Sequence, residues 1–248
     1  MTLAVAVVLL AGACNGEDAA TTSTGPTDPN GTVTLTYEFE NGSDGWAAEV
    51  SDYTSATRPE DVVVATGVQP PGIADDSGFI HLAATNRSDD LFQFLLRQIG
   101  PEADLKPETA YRIAFDITGY SNAPSNCAGI GGAPGESVWL KVGASTVKPQ
   151  PVDEDGSTRL NVDKGGQSEG GENAEVAGNL ANGIPCEHAL ENNRPYEEVN
   201  WSESLPDSFF TDQDGNIWLF VGIESGFEGR SDLYYDRVEV SLTPAESS

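Results

Sequence analysis

The 248-residue chain predicts an all-β fold, a single β-sandwich or jelly roll carrying long Gly/Asp/Asn-rich inserted loops. Three observations carry this. Apolar and polar residues alternate with period two in stretch after stretch, the spacing that gives a strand one buried and one solvated face. The 27 Gly and 15 Pro punctuate nearly the whole length, and such residues break helices and make turns. No stretch sustains helical spacing with capping signals, so many short strands joined by turns remain.

The elements follow in order. Residues 3–13 form an apolar run without charge that ends on the small residues Gly12 and Ala13 before Cys14. It is too short to span a bilayer and reads as a signal peptide over residues 1–13. Residues 14–32 are rich in Gly, Thr, Ser, Asp and Pro, cannot bury a core, and read as a flexible tether. The folded domain is expected over residues 33–242, with strands at 33–39, 79–83, 91–96, 111–117, 137–142, 217–222 and a closing strand at 233–242. A polar tail occupies residues 243–248. Residues 121–134 and 153–185 show little periodicity and are expected to be long loops, the usual place for function in a compact domain.

The net charge is −28, from 40 acidic against 12 basic residues. No basic stripe exists to neutralise phosphates, which excludes nucleic acid as a partner. Attraction to anionic lipid is excluded on the same ground, so a membrane is reached only through an anchor. Neutral glycans, surface proteins and divalent cations are the compatible partners. Of the 3 Cys, Cys127 and Cys186 form an even pair if Cys14 is otherwise used, and an exported compartment favours their disulfide. By the chain-entropy relation such a crosslink contributes about 4 kcal/mol.

The run ending at Cys14 resembles the lipobox of bacterial lipoproteins, with Ala11 where Leu is usual and no basic residue before the run. The resemblance implies that Cys14 is the lipidated (palmitate-bearing) first residue of a mature protein held in the bacterial cell envelope, at the cell surface or in the periplasm. Three further places are similar to the carbohydrate-binding modules of the galactose-binding-like jelly-roll superfamily: Phe39-Glu40-Asn41-Gly42 followed by Gly45-Trp46, the stretch from Leu105 through Tyr111 to Asp116, and the closing strand from Leu233 through Asp236 to Val240. Residues 127–135, 163–178 and 226–229 are similar to a group of bacterial surface lipoproteins, from which no activity carries over. In the superfamily the acidic residue of the opening strand and the Asp of the closing strand hold a structural calcium. By position these are Glu40 and Asp236.

Sugar recognition needs exposed aromatic faces beside polar groups. Trp139 and Trp218 lie within apolar alternation and are expected in the core. Trp46 and Trp201 stand in polar surroundings and are expected to be exposed, with Tyr196 a further candidate. Catalytic signatures are missing: there are two His, no GxSxG elbow, no HExxH and no phosphate-binding Gly-Lys-Ser/Thr loop. Glycoside hydrolysis needs only two carboxylates, so 40 acids leave it open, with Glu187, Glu197 and Glu198 as one guess. The expectation is therefore a non-catalytic glycan-binding-like module. The alternative is a structural or adhesive surface protein that contacts proteins or divalent cations through its acidic loops.

Overall fold

The computed structural model describes residues 23–24, 30–74 and 78–245. The signal peptide, Cys14 and most of the tether lie outside the described residues. In chain order the strands are β1 (Ser23–Thr24), β2 (Val33–Tyr37), β3 (Ala47–Ser51), β4 (Tyr53–Thr54), β5 (Glu60–Thr66), β6 (Ile80–Thr85), β7 (Leu91–Ile99) and β8 (Ala110–Ser121). They continue with β9 (Val138–Ser145), β10 (Pro151–Glu154), β11 (Ser157–Leu160), β12 (Ala174–Asn179), β13 (Glu197–Ser204), β14 (Phe209–Phe210), β15 (Ile217–Ser225) and β16 (Arg230–Pro244). One short helix, α1 (Cys186–Glu191), precedes β13.

Two antiparallel sheets stack face to face. In the first, β16 is the spine. On one side it pairs along its length with β8, whose far edge carries β13 and β14; on the other it pairs first with β6 and then with β2. The second sheet runs β12-β9-β15-β7-β3. The core follows from the alternation: Leu35 and Tyr37, Ile113, Phe115 and Ile117, and Val238, Val240 and Leu242 of the first sheet meet Val138, Leu140 and Val142 and Leu219, Val221 and Ile223 of the second. All are nearly or fully buried. By the area relation each contributes about 1.5–3 kcal/mol of transfer free energy.

The region expected as loop from residue 153 to residue 185 contains regular structure. Asp155 and Gly156, both at positive φ (53° and 82°), close a β10–β11 hairpin in which Glu154 faces Ser157. Adjacent positive φ values suit the tight hairpin turn whose twist matches its strands. Beyond it, β12 pairs with the edge of β9, with a bulge between Val176 and Gly178. Its polar sequence hid it. The hairpin and the loop after it lie over the outer face of the second sheet, where Leu160, Val162 and Ala174 pack on Phe92, Phe94, Leu96 and Phe220 as a second apolar cluster. The disulfide is present: Cys127 and Cys186 are bonded, Cα atoms 5.0 Å apart.

Two boundaries differ from expectation. Two residues of the tether pair with β2 at its outer edge. The closing strand runs on to Pro244, and Ala245 donates to the Ala110 carbonyl at 2.8 Å. Leu242 faces Val33, so both ends of the domain leave from one pole. At the opposite pole β8 ends against the start of β16, Ser121 facing Leu233.

Candidate functional site: an amide-lined cleft at one pole

Just past the end of β8 lies a cleft of about 700 Å³, lined by Pro71, Gly72, Asn122, Leu190, the run Asn192-Asn193-Arg194, Pro195 and Tyr196. None of the nine is acidic. The wall from Asn192 to Tyr196 is shaped by α1 and the turn after it. Arg194 donates from its backbone N–H to the Ala189 carbonyl at 2.7 Å, while Asn193 and Arg194 both sit at positive φ (56° and 49°). That tight reversal is held from two sides. The disulfide fixes Cys186 at the start of the helix, and Asn182 donates to both the Ser121 and Pro195 carbonyls.

Tyr196 is the aromatic of this cleft, and a second layer fixes its ring. Its hydroxyl donates to Asp232 Oδ1 at 2.9 Å, and its ring meets Tyr234 edge-on at 5.2 Å. Asp232 is also contacted by His81 Nε2 at 2.8 Å and by the Arg230 guanidinium at 3.0 Å. His81 stacks on Tyr234 with rings 3.9 Å apart and nearly parallel. Phe79 and Tyr120 complete the apolar floor. Burial, followed by the Asp232 charge, pushes the Tyr196 phenol far up, so the hydroxyl stays a donor. Burial opposes charge on Asp232, but the hydrogen bond from His81 and those of its other partners outweigh it and hold the carboxyl below its usual range. The arrangement presents a rigid phenol ring beside three amides, one guanidinium and apolar proline and leucine edges.

The other candidate aromatics fall elsewhere, and the expectation for the tryptophans is reversed. Trp46 is 4 % exposed and meets Tyr37 edge-on at 5.5 Å. Trp201 is 5 % exposed and donates from Nε1 to the Asn179 carbonyl at 2.9 Å. Both are therefore packing residues of the main core, because each lands on the inward parity of the sandwich. Trp139 and Trp218, expected inside, are only half-buried on the outer face of the second sheet. Glu187, Glu197 and Glu198 are exposed and form no enclosed pair. The β2–β16 pairing ends at Tyr37 opposite Val238, close to both Glu40 and Asp236, and Glu40 lines a cleft of about 430 Å³ with Glu38, Asp44, Glu239 and Arg237. Calcium takes six to eight oxygen ligands. Among the described residues no group of three or more His, Cys, Asp or Glu could hold an ion. A calcium ion held by Glu40 and Asp236 would therefore have to complete its shell with backbone carbonyls or water.

A charged cluster missed by sequence reasoning lies on the outer face of the second sheet. Lys141 and Glu224 are fully buried, Lys164 and Asp52 nearly so. Lys141 Nζ donates to the carbonyls of Lys164 (2.8 Å) and Glu169 (2.9 Å) and lies 2.6 Å from Glu224 Oε2. Lys164 Nζ donates to Glu224 Oε1 at 2.5 Å and lies 3.7 Å from Asp52 Oδ2. Arg159, at the surface, reaches Asp52 at 3.3 Å and Asp90 at 3.1 Å. Burial, then a hydrogen bond shared with Glu224, pushes Asp90 up to about 6. On Glu224 burial is outweighed by the Lys164 and Lys141 ammonium groups, so that carboxyl is held low. Six charged side chains here balance as three cations and three anions. This holds the inserted hairpin and loop to the sheet.

No protein-family profile matches the chain, and no curated protein matches it. Solved structures resemble it at low identity. A xylan-binding domain of carbohydrate-binding module family 22 is 14% identical, with a TM-score of 0.36 over 86% of this chain and 95% of that one. The module TmCBM61, solved with β-1,4-galactotriose, is 11% identical, with a TM-score of 0.34 over 78% and 86%. The enzymatically active domain of tailspike protein 4 from bacteriophage CBA120 is 11% identical, with a TM-score of 0.35. This chain spans 20% of that structure's length.

Proposed function

We propose that this is a non-catalytic surface module that binds a neutral oligosaccharide in the cleft around Tyr196, on a lipid tether from Cys14. The observation that carries the proposal is the chemistry of the cleft in its setting. In a chain of net charge −28, nine residues at one pole supply an immobilised phenol ring and three amide side chains without a carboxylate. Sugar rings offer apolar C–H faces to an aromatic and hydroxyls to amides. The described ends of the domain meet at the opposite pole, where Val33 faces Leu242, so a tether there turns the cleft away from the membrane.

A glycan array probed with the folded chain tests the sugar site. Retention of a neutral oligosaccharide that is lost in Tyr196→Ala supports it; retention unchanged in Tyr196→Ala places the ligand elsewhere. Labelling with a radioactive fatty acid tests the tether, since label that persists in Cys14→Ser removes the lipid at that residue.

A further inference from the structure

We propose that Lys164 and Asp52 are joined by an autocatalytic isopeptide bond, an amide between Lys164 Nζ and Asp52 Cγ formed inside the buried charged cluster. Five groups needed for amide formation stand together. The nucleophile is Lys164, whose Nζ is 3.7 Å from Asp52 Oδ2. The proton acceptor is Glu224, with no exposed side-chain surface and 2.5 Å from that nitrogen. The Arg159 guanidinium lies 3.3 Å from Asp52 Oδ1, where negative charge collects during attack. The Ser51 hydroxyl donates to Asp52 Oδ2 at 2.8 Å, at the oxygen that must leave. The Phe92 ring, 5.5 Å from Lys164 Nζ, walls the site with apolar surface.

The geometry also chooses between the two lysines. Lys141 donates to two backbone carbonyls and pairs with Glu224 Oε2 at 2.6 Å, and of the two lysines it is Lys164 that lies within ion-pair distance of Asp52. Lys164 has one short acceptor, Glu224, and otherwise a long 3.4 Å contact to the Gly165 carbonyl. Holding the two groups in place supplies much of the barrier reduction by removing the entropy of encounter.

The step balances without a co-reactant. The Lys164 ammonium passes a proton to the Glu224 carboxylate, which hands it on to Asp52 Oδ2, and the free amine attacks Cγ of the now neutral Asp52 carboxyl. The new N–C bond forms as the carbonyl electron pair moves onto Oδ1 beside Arg159. Collapse breaks the Cγ–Oδ2 bond. Oδ2 leaves as water with both protons that the nitrogen has lost, one returned by Glu224 and one relayed through Ser51. The bond ties the turn between β3 and β4 to the inserted loop, over 100 residues apart in sequence.

Intact mass spectrometry of the reduced full chain against its Lys164→Arg variant tests this, because the substitution keeps the charge and the ion pair with Glu224. The expected result is a wild type lighter than its sequence by one water, a variant at full mass, and a tryptic map containing one branched peptide that joins the segments of Asp52 and Lys164. A wild type at full mass overturns the proposal. So does a water loss that survives in Lys164→Arg, or one that maps to a dehydrated Asp-Gly such as Asp155-Gly156. Glu224→Gln is expected to retain both side chains unlinked, and a branched peptide in that variant overturns the role given to Glu224.

Discussion

The two sheets use their outer faces in opposite ways. On the first, the face near the end of β8 is left open, and a cleft without acidic residues forms over Tyr234, His81 and Asp232. On the second, the face is roofed by the inserted hairpin and loop, and charge is concentrated beneath: Lys141, Lys164, Glu224 and Asp52 are all nearly or fully buried. A protein rich in surface carboxylates thus buries two of its lysines, Lys141 and Lys164, under the roof and leaves an amide-lined recess open. The difference teaches that burial, rather than composition, decides what a charged residue does here. Under the roof, charges work as cross-braces; at the open pole, the single deeply held carboxylate, Asp232, works by fixing a tyrosine.

Substitutions at the two faces should break this contrast in different ways. The largest effect is expected under the roof. Lys141→Met leaves two buried carbonyls and one oxygen of Glu224 without their cation, and removing one partner from a buried ion pair costs about 3–5 kcal/mol. Urea denaturation should show a midpoint shift of that size, with glycan binding intact in the fraction that remains folded. Loss of the Cys127–Cys186 disulfide comes next, at about 2–5 kcal/mol. Unlike Lys141→Met, the Cys186→Ser change should also weaken retention on the array, because α1 shapes the cleft wall. Smaller still is Tyr196→Phe, which removes one donor from Asp232 but keeps the ring. A loss of about 1 kcal/mol is expected for the hydrogen bond, with sugar retention preserved, whereas Tyr196→Ala abolishes retention.

The two faces also separate by pH. Asp90 is held up to about 6 by burial and its bond to Glu224, above the unfolded value near 3.8. The folded state therefore binds the proton more tightly. The stabilisation from this group is fully present below about 4 and is lost as pH rises through about 6. Asp90→Asn should flatten the stability profile across that window. Asp232, held low, has the opposite sign: its contribution is present above the unfolded pKa and lost as pH falls. Thermal melts at stepped pH, run on Asp90→Asn and on Asp232→Asn, distinguish the two.

The fold was largely legible in the sequence because alternation is a local signal. The strands around Tyr111–Ile117 and Ile217–Gly222 could be placed from period two alone, and the paired Cys127 and Cys186 followed from counting. Alternation does not say which of two apolar parities faces in. That is why Trp139 and Trp218 were expected inside, and they lie with Lys141 and Phe220 on the outer face instead. Trp201 was misplaced for a related reason, since its polar neighbours Asn200 and Ser202 occupy the outward parity of β13. Asp155-Gly156 did carry a hairpin signal between short polar strands. The charged cluster was beyond reach, because Asp52, Asp90, Lys141, Lys164 and Glu224 are brought together only by sheet pairing. Of the cleft, Tyr196 alone was singled out, and the polar run before it, Asn192-Asn193-Arg194-Pro195, was the signal available.

The two poles have a mechanical consequence. If the cleft is held by its ligand and the tether by the membrane, tension runs from one end of the sandwich to the other, along the strands. Strand β2, entered from the tether, is then pulled lengthwise against β16, and the five residue pairs from Val33–Leu242 to Tyr37–Val238 share the load at once. Strands loaded in this direction slide rather than peel, and must break their rungs together.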